Sequence, residues 1–241
     1  MIDEIELLAW DSKFFKRRVG RLNLNEGMSL SKLLQLAHQK RYELLYIYSS
    51  AQIEKSPNTY CQFLDVGGHI AFSKDLPSCN EPEEIKSFSG IHEYRHDVVT
   101  PELLEIAFLS GHLSRFKTDP LLPAGGFECL YETWLTNTLR NRPKTSIYTY
   151  CSGGKVAGFI TSELHGAKCS IDLLAVLQSY QGQGIATKLI KHLCDICRTK
   201  KIGSIEVKTQ LSNRSARALY EKNSFSECQR SFLYHAHFAR H

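Results

Sequence analysis

No run of apolar residues in this chain approaches the ~20 that a helix needs to cross a bilayer, so a membrane role is not expected. Nor is there a basic run, or a basic patch interleaved with aromatics, of the kind that grips DNA or RNA. The formal net charge of +5 favours polyanionic ligands without implying nucleic acid. The opening residues, M-I-D-E-I-E-L-L, are acidic and lack the basic-then-apolar layout of a secretion signal. A second C-x-x-C is missing too. The eight cysteines are scattered, and the one C-x-x-C, Cys194 with Cys197, has no partner pair to complete a zinc site. It also does not open a helix as a redox pair would. These thiols read as small core hydrophobes in a reducing compartment, so the cytoplasm is the expected location and no metal is expected.

What is present is ordinary in bulk. The chain has 241 residues, 42% hydrophobic and 23% charged, which suits one large domain or two small ones with a substantial core. Its informative stretch is Ile171–Lys191, I-D-L-L-A-V-L-Q-S-Y-Q-G-Q-G-I-A-T-K-L-I-K. Ile171–Leu177 is an unbroken apolar run of strand length. From Gly184 onward, apolar residues at 186, 189, 190, 193, 194 and 197 make the stripe of an amphipathic helix. A strand that passes through glycines straight into a helix presents unpaired N–H groups and the positive end of the helix dipole. Glycines at 182 and 184 remove the Cβ atoms that would keep a phosphate away. The stretch is therefore a candidate pyrophosphate cradle. A Walker loop is absent, and the dinucleotide fingerprint fails because its third glycine position is Thr187.

Gln181, Gly184 and Ala186 do meet the pattern [Q/R]-x-x-G-x-[G/A]. Here the chain resembles the GNAT superfamily of acyl-CoA N-acyltransferases, in which this loop binds the pyrophosphate of coenzyme A. The rest of the chain is consistent with that. Ile91–His241 reads β-α-α-β-β-β-α-β-α-β, the GNAT order, with a helix pair over 102–140 expected to cover one end of an acceptor cleft. Residues 1–90 read as a smaller α/β unit, β-α-β-β, with a break at Gly67-Gly68 and a linker over 73–90. The expected architecture is thus an α/β (α+β, mixed-sheet) GNAT domain preceded by a smaller α/β domain. A narrower resemblance rests on the opening L-x-W-x-x-x-F-F, on Ser114-Arg115-Phe116, and on Asn213 through Tyr220. Together these are similar to the dTDP-fucosamine N-acetyltransferases, which acetylate the 4-amino group of a nucleotide-linked 4-amino-4,6-dideoxyhexose.

The resemblance implies acetyl-CoA as co-substrate and assigns roles. Gln181, Gly182, Gln183, Gly184, Ile185 and Ala186 take the pyrophosphate, with Thr187 and Lys188 adding a hydroxyl and a charge. Leu174, Ala175 and Val176 lie beside the pantetheine arm, their backbone pairing with it like an added strand. Asn213 reaches the pantetheine and Tyr220 protonates the departing thiolate. A phenol of reference pKa ~10 suits a thiolate of ~8.5, staying protonated yet donating well.

For the acceptor, Arg115 suits bidentate phosphate contacts. Phe116, Tyr131 and Trp134 can stack on a base or line a sugar pocket, although aromatics at helical spacing are usually core. Glu163 and Asp172, on neighbouring strands, can each contact the acceptor or take its proton through water; a hydrogen-bonded structural carboxylate is the alternative for both. His235 and His237 share one face of the last strand, and with no third ligand in view they read as exposed or edge residues. That same strand, if exposed, offers an edge for a homodimer. Two other classes remain open from sequence: a GNAT enzyme for a protein N-terminus, polyamine or antibiotic amine, and a non-catalytic acyl-CoA-binding module.

Overall fold

Ten strands form one mixed sheet in the order β1-β2-β3-β10-β4-β9-β8-β7-β6-β5. This is a computed structural model that describes residues 5–53, 60–77 and 88–239. The first half supplies β1 (Glu6–Leu7), helix α1 (Ala9–Phe15), β2 (Val19–Leu24), α2 (Leu30–Gln39), β3 (Leu44–Ser49) and β4 (Cys61–Asp75). The second supplies β5 (Ile91–Glu93), helices α3 (Pro101–Ser110), α4 (Arg115–Thr118) and α5 (Gly126–Arg140), then β6 (Thr145–Ser152), β7 (Lys155–His165) and β8 (Lys168–Val176). Helix α6 (Ile185–Thr199), β9 (Ser204–Gln210), α7 (Arg214–Lys222) and β10 (Ser226–Phe238) complete it.

Local chemistry explains most of these elements. Thr100 caps α3 by accepting from the Leu103 amide, with Pro101 at the first helical position where its missing N–H is no loss. Gly153 and Gly154, both at positive φ, turn the β6–β7 hairpin. In α6 the buried stripe is Ile185, Leu189, Ile190, Leu193, Cys194 and Cys197. It starts one residue earlier than the sequence spacing suggests, and it holds the C-x-x-C in the core. Each fully buried Leu or Ile there contributes about 1.5–3 kcal/mol relative to exposure. That core lies on one face of the sheet with Ile171, Val207 and Tyr220; the core of α3 and α5 lies on the other, with Ile147, Phe159 and Leu173.

Several expectations are corrected. Gly67-Gly68 does not end a strand: β4 runs through it, and Val66 and Gly67 oppose the single Leu233 of β10 in a bulge, with Gly68 paired to Phe232. A Cβ on Gly68 would lie 2.5 Å from the Ser231 carbonyl oxygen and from Leu211, which is why glycine fits. The first strand of the second half is short, only Ile91–Glu93. Ser73–Asp75 of the expected linker belong to β4, whereas 78–87 lie outside the described residues. Above all, β10 is not at an edge. It is inserted between β3 and β4, paired antiparallel to both, so one sheet runs through both halves of the chain. Over Phe232–His237 neither side of β10 is available for pairing across a dimer.

Candidate active site

β8 and β9 are parallel and pair from Lys168 with Ser204 to Ile171 with Val207. Both strands continue, to Val176 and Gln210, but no longer together. The cause lies in β8. Between its Ile171 and Leu174 rungs it sets two residues, Asp172 and Leu173, against Thr161 of β7, a bulge that bends the strand. Residues two apart on a regular strand share a face. Here Ile171 faces the α6 core and Leu173 the α3–α5 core.

The parted strands open a cleft of about 490 Å³, lined by Asp172 to Leu174 of β8, Lys208 to Gln210 of β9, Asn213 and Tyr220 beside them, and Arg115, Phe116, Tyr131 and Trp134 at its far end. The Leu173 and Leu177 amides point away from it, donating to Thr161 Oγ1 at 2.9 Å and to the Ala157 carbonyl at 2.8 Å. Alternation then turns the Leu174 and Val176 N–H groups, with Ala175 between them, toward the gap.

Where β8 ends, Gln181 folds back and its side-chain amide donates to the Val176 carbonyl at 3.0 Å, tying loop to strand. Gly182 and Gly184 have φ of +76° and +74°, left-handed values that favour glycine, and nothing lies within 4 Å of where a Cβ would stand on either. The first hydrogen bond of α6 runs from the Lys188 amide to the Gly184 carbonyl at 3.0 Å. The amides of residues 182–187, among them Gln183, Ile185 and Ala186, therefore have no protein acceptor among the described residues. An anion fits this cradle: donors, dipole and open space coincide. Thr187 Oγ1 accepts from Asn223 Nδ2 at 3.3 Å, and the Lys188 ammonium lies 5.6 Å from the Tyr150 ring centroid.

Asn213 caps α7, its Oδ1 accepting from the Ala216 amide at 3.1 Å and the Ser215 hydroxyl at 3.0 Å, so only its Nδ2 is left for a ligand. Tyr220 lines the cleft with 5% of its surface exposed, and no protein group hydrogen-bonds its hydroxyl among the described residues. Burial pushes the phenol above its ordinary value, which keeps it protonated. Two acids line the cleft: Glu206 of β9, paired with Lys168 at 2.6 Å, and Asp172. Burial raises the Asp172 pKa to about 6, against the opposing hydrogen bond from the Ser170 hydroxyl at 2.9 Å.

Glu163 is a correction: it does not line this cleft. It sits on β7, with β8 between it and the gap, and pairs with Lys144 at 2.8 Å.

Arg115 and Phe116 open α4, Ser114 capping the turn through the Phe116 amide at 3.3 Å. The Arg115 guanidinium lies over the rings of Tyr46 at 4.7 Å, Tyr48 at 5.7 Å and Phe116 at 4.5 Å.

His235 and His237 are the second correction. They are buried, because β10 is interior, and both donate to one atom: His235 Nδ1 at 2.5 Å and His237 Nε2 at 2.8 Å from Asp119 Oδ2. Asp119 Oδ1 accepts from the Leu121 amide at 2.8 Å. Burial opposes ionisation of Asp119, but these three donors outweigh it and hold its carboxyl well below the usual range. Burial also lowers the His235 pKa, to about 4. Among the described residues this is the one grouping whose side chains can hold a metal ion. As it stands it is a hydrogen-bonded clamp fixing the end of α4 to the sheet.

Residues 111–225 match the model of the acetyltransferase (GNAT) family. The chain carries a GNAT acetyltransferase domain. The matched span includes both parted strands, the glycine loop and Tyr220. Spore coat polysaccharide biosynthesis protein SpsD of Bacillus subtilis (strain 168) is 30% identical over 136 residues, 56% of this chain and 47% of that protein. N-alpha-acetyltransferase 30 of Schizosaccharomyces pombe (strain 972 / ATCC 24843) is 34% identical over 65 residues, 27% of this chain and 43% of that protein. The chain spans about half the length of the curated relatives it matches. The crystal structure of a GCN5-related N-acetyltransferase from Sphaerobacter thermophilus superposes with a TM-score of 0.57 over 98% of this chain and 77% of that one. At 14% identity that likeness speaks for the fold alone.

Sequence reading missed His69 of β4 and Lys208 of β9, which also line the cleft of the GNAT domain. No motif marks them. Only the pairing of β4 with β9, through His69 with Gln210 and Ala71 with Lys208, brings them there.

Proposed function

We propose that this protein transfers an acetyl group from acetyl-CoA to the amine of a nucleotide-linked amino sugar, a dTDP-4-amino-4,6-dideoxyhexose being the favoured acceptor, within one ternary complex. The observation that carries the transferase reading is the gap beyond Ile171 and Val207, with free strand amides at one end and an unpaired helix N-terminus at the other. The sugar reading is supported by the cleft's Arg115 and aromatic lining and by the likeness to SpsD, whose name places it in polysaccharide biosynthesis.

Acetyl-CoA, when bound, supplies the thioester-activated acetyl group. The amides of 182–187 hold its pyrophosphate, and the Leu174 and Val176 amides orient its arm along β8. The Val176 N–H is placed to donate to the acyl oxygen as negative charge gathers there. Asp172 accepts the proton that the attacking amine must lose, and the Tyr220 hydroxyl gives one to the departing sulfur. The chain is expected to work on soluble substrates in the cytoplasm.

The test is coenzyme A release with dTDP-4-amino-4,6-dideoxyhexose beside peptides with free N-termini and polyamines. Release with the nucleotide sugar alone supports the reading. Release only with a peptide would replace it by the second one, an N-terminal acetyltransferase, to which the likeness to N-alpha-acetyltransferase 30 points.

A further inference from the structure

The cleft is electrically lopsided. Its β8 wall carries Asp172, and β9 adds Glu206, which is paired with Lys168 at 2.6 Å, while the far side gathers Arg115 from α4, His69 from β4 and Lys208 from β9. His69 and Lys208 lie diagonally on one face of the β4–β9 pair, because His69 opposes Gln210 and Ala71 opposes Lys208. Arg115 is held above Tyr46, Tyr48 and Phe116. Its Nε is buried and makes no hydrogen bond. Among the described residues no carboxylate reaches ion-pairing distance of its guanidinium; Asp11 feels its charge only from further away. A half-buried guanidinium with an unmet N–H is costly unless something completes it, and stacking on rings does not supply an acceptor. The surroundings agree: burial first, then the charges of Arg115 and Lys208, lower the His69 pKa to about 4, leaving it at neutral pH an uncharged imidazole with one N–H to donate. Three donors of this kind facing one hollow, whose nearby Glu206 carboxylate is already paired with Lys168 at 2.6 Å, are built to receive oxygen atoms bearing negative charge.

We propose that Arg115, His69 and Lys208 form a docking site for a phosphate or diphosphate group of the acceptor, so that the acceptor must carry an anion as well as its amine. The site deepens the function proposed above and rests on reading this cleft as the acceptor's. It is shared between the two halves of the chain: β3 supplies the rings under Arg115 and β4 supplies His69, while the GNAT domain supplies Arg115 itself and Lys208. The first half thereby selects the acceptor. The end of the cleft bearing Asp172 receives the amine and the opposite end the anion, an arrangement that turns away polyamines, whose every charge is positive.

The probe is thymidine diphosphate, titrated calorimetrically into protein already saturated with coenzyme A, so that the glycine loop is filled. The expected result is saturable binding by the wild-type protein, weakened at least tenfold in Arg115→Lys, which keeps the charge but loses the planar fork, and in Lys208→Gln. Coenzyme A affinity and melting temperature should stay unchanged in Lys208→Gln. No binding by the wild-type protein, or equal binding by the variants, overturns the site. A turnover comparison separates this from the function itself. If the nucleotide-linked amino sugar and its phosphate-free monosaccharide are acetylated with equal kcat/KM, the anion site is wrong and sugar acetylation stands. If thymidine diphosphate binds as described but neither sugar is acetylated, the site stands and the sugar reading falls.

Discussion

Ile171 of β8 and Val207 of β9 form the last rung of a parallel pairing that both strands outlast. Everything proposed for this protein sits in the space beyond that rung. The extra residue in β8 opens it, the loop after β8 closes one end with free amides, and α4 and α5 close the other. Four outcomes follow from the geometry.

Tyr220→Phe should leave acetyl-CoA affinity unchanged and lower kcat by about 10²-fold, the scale of a lost general acid. The hydroxyl has no protein partner to lose, so the melting temperature should hold. Steady-state kinetics beside calorimetry with coenzyme A decides it; an unaltered kcat removes Tyr220 from the chemistry.

Gly184→Ala forces an L side chain into a left-handed conformation at φ +74°, at a cost of about 1 kcal/mol, and sets a methyl group beside the free amides. Roughly tenfold weaker binding of coenzyme A is the expected reading, with kcat at saturation little changed. Affinity equal to wild type would mean the pyrophosphate lies elsewhere.

Asp172 has a pKa of about 6, raised by burial, so its ionised form is penalised in the folded state. That penalty is fully present above about pH 6 and vanishes as pH falls below the ordinary carboxylate value. Asp172→Asn should therefore be more stable than wild type at pH 8, on the order of 1–3 kcal/mol, and equal to it near pH 3.5. Activity should move the other way: kcat/KM of the wild type rises through about pH 6, and the variant lacks that limb. A variant with the wild-type rate and pH profile would rule out the base.

Asp119 carries the opposite sign. Its carboxyl is held below the usual range, so its contribution is present above about pH 4 and lost as pH falls further. Asp119→Asn should cost about 2–4 kcal/mol at neutral pH by leaving two buried imidazoles poorly partnered, and its melting temperature should fall less steeply in acid. Because the clamp fixes the helix that bears Arg115, KM for the acceptor should rise more than KM for acetyl-CoA. Equal effects on both would show the clamp to be purely structural.

What the sequence settled by itself was local. Strand, glycine loop and amphipathic helix from Ile171 to Thr199 are dictated by neighbours within a few residues, because a helix stripe and a positive-φ turn need no distant partner. The same holds for the Thr100 cap and the Gly153-Gly154 hairpin. What only the tertiary structure decided depends on which strands become neighbours. A pattern of alternating apolar residues reads alike at an edge or in the middle of a sheet, so nothing in Ser226–Phe238 announces that it inserts between β3 and β4. That insertion buries His235 and His237 and gives them Asp119, more than a hundred residues away in the chain. It also draws the first half into the same sheet, and β4, paired to β9, carries His69 into the cleft. Glu163 and Asp172 look equivalent in sequence; Glu163 lies on β7, one strand further from the gap, and of the two only Asp172 lines the cleft.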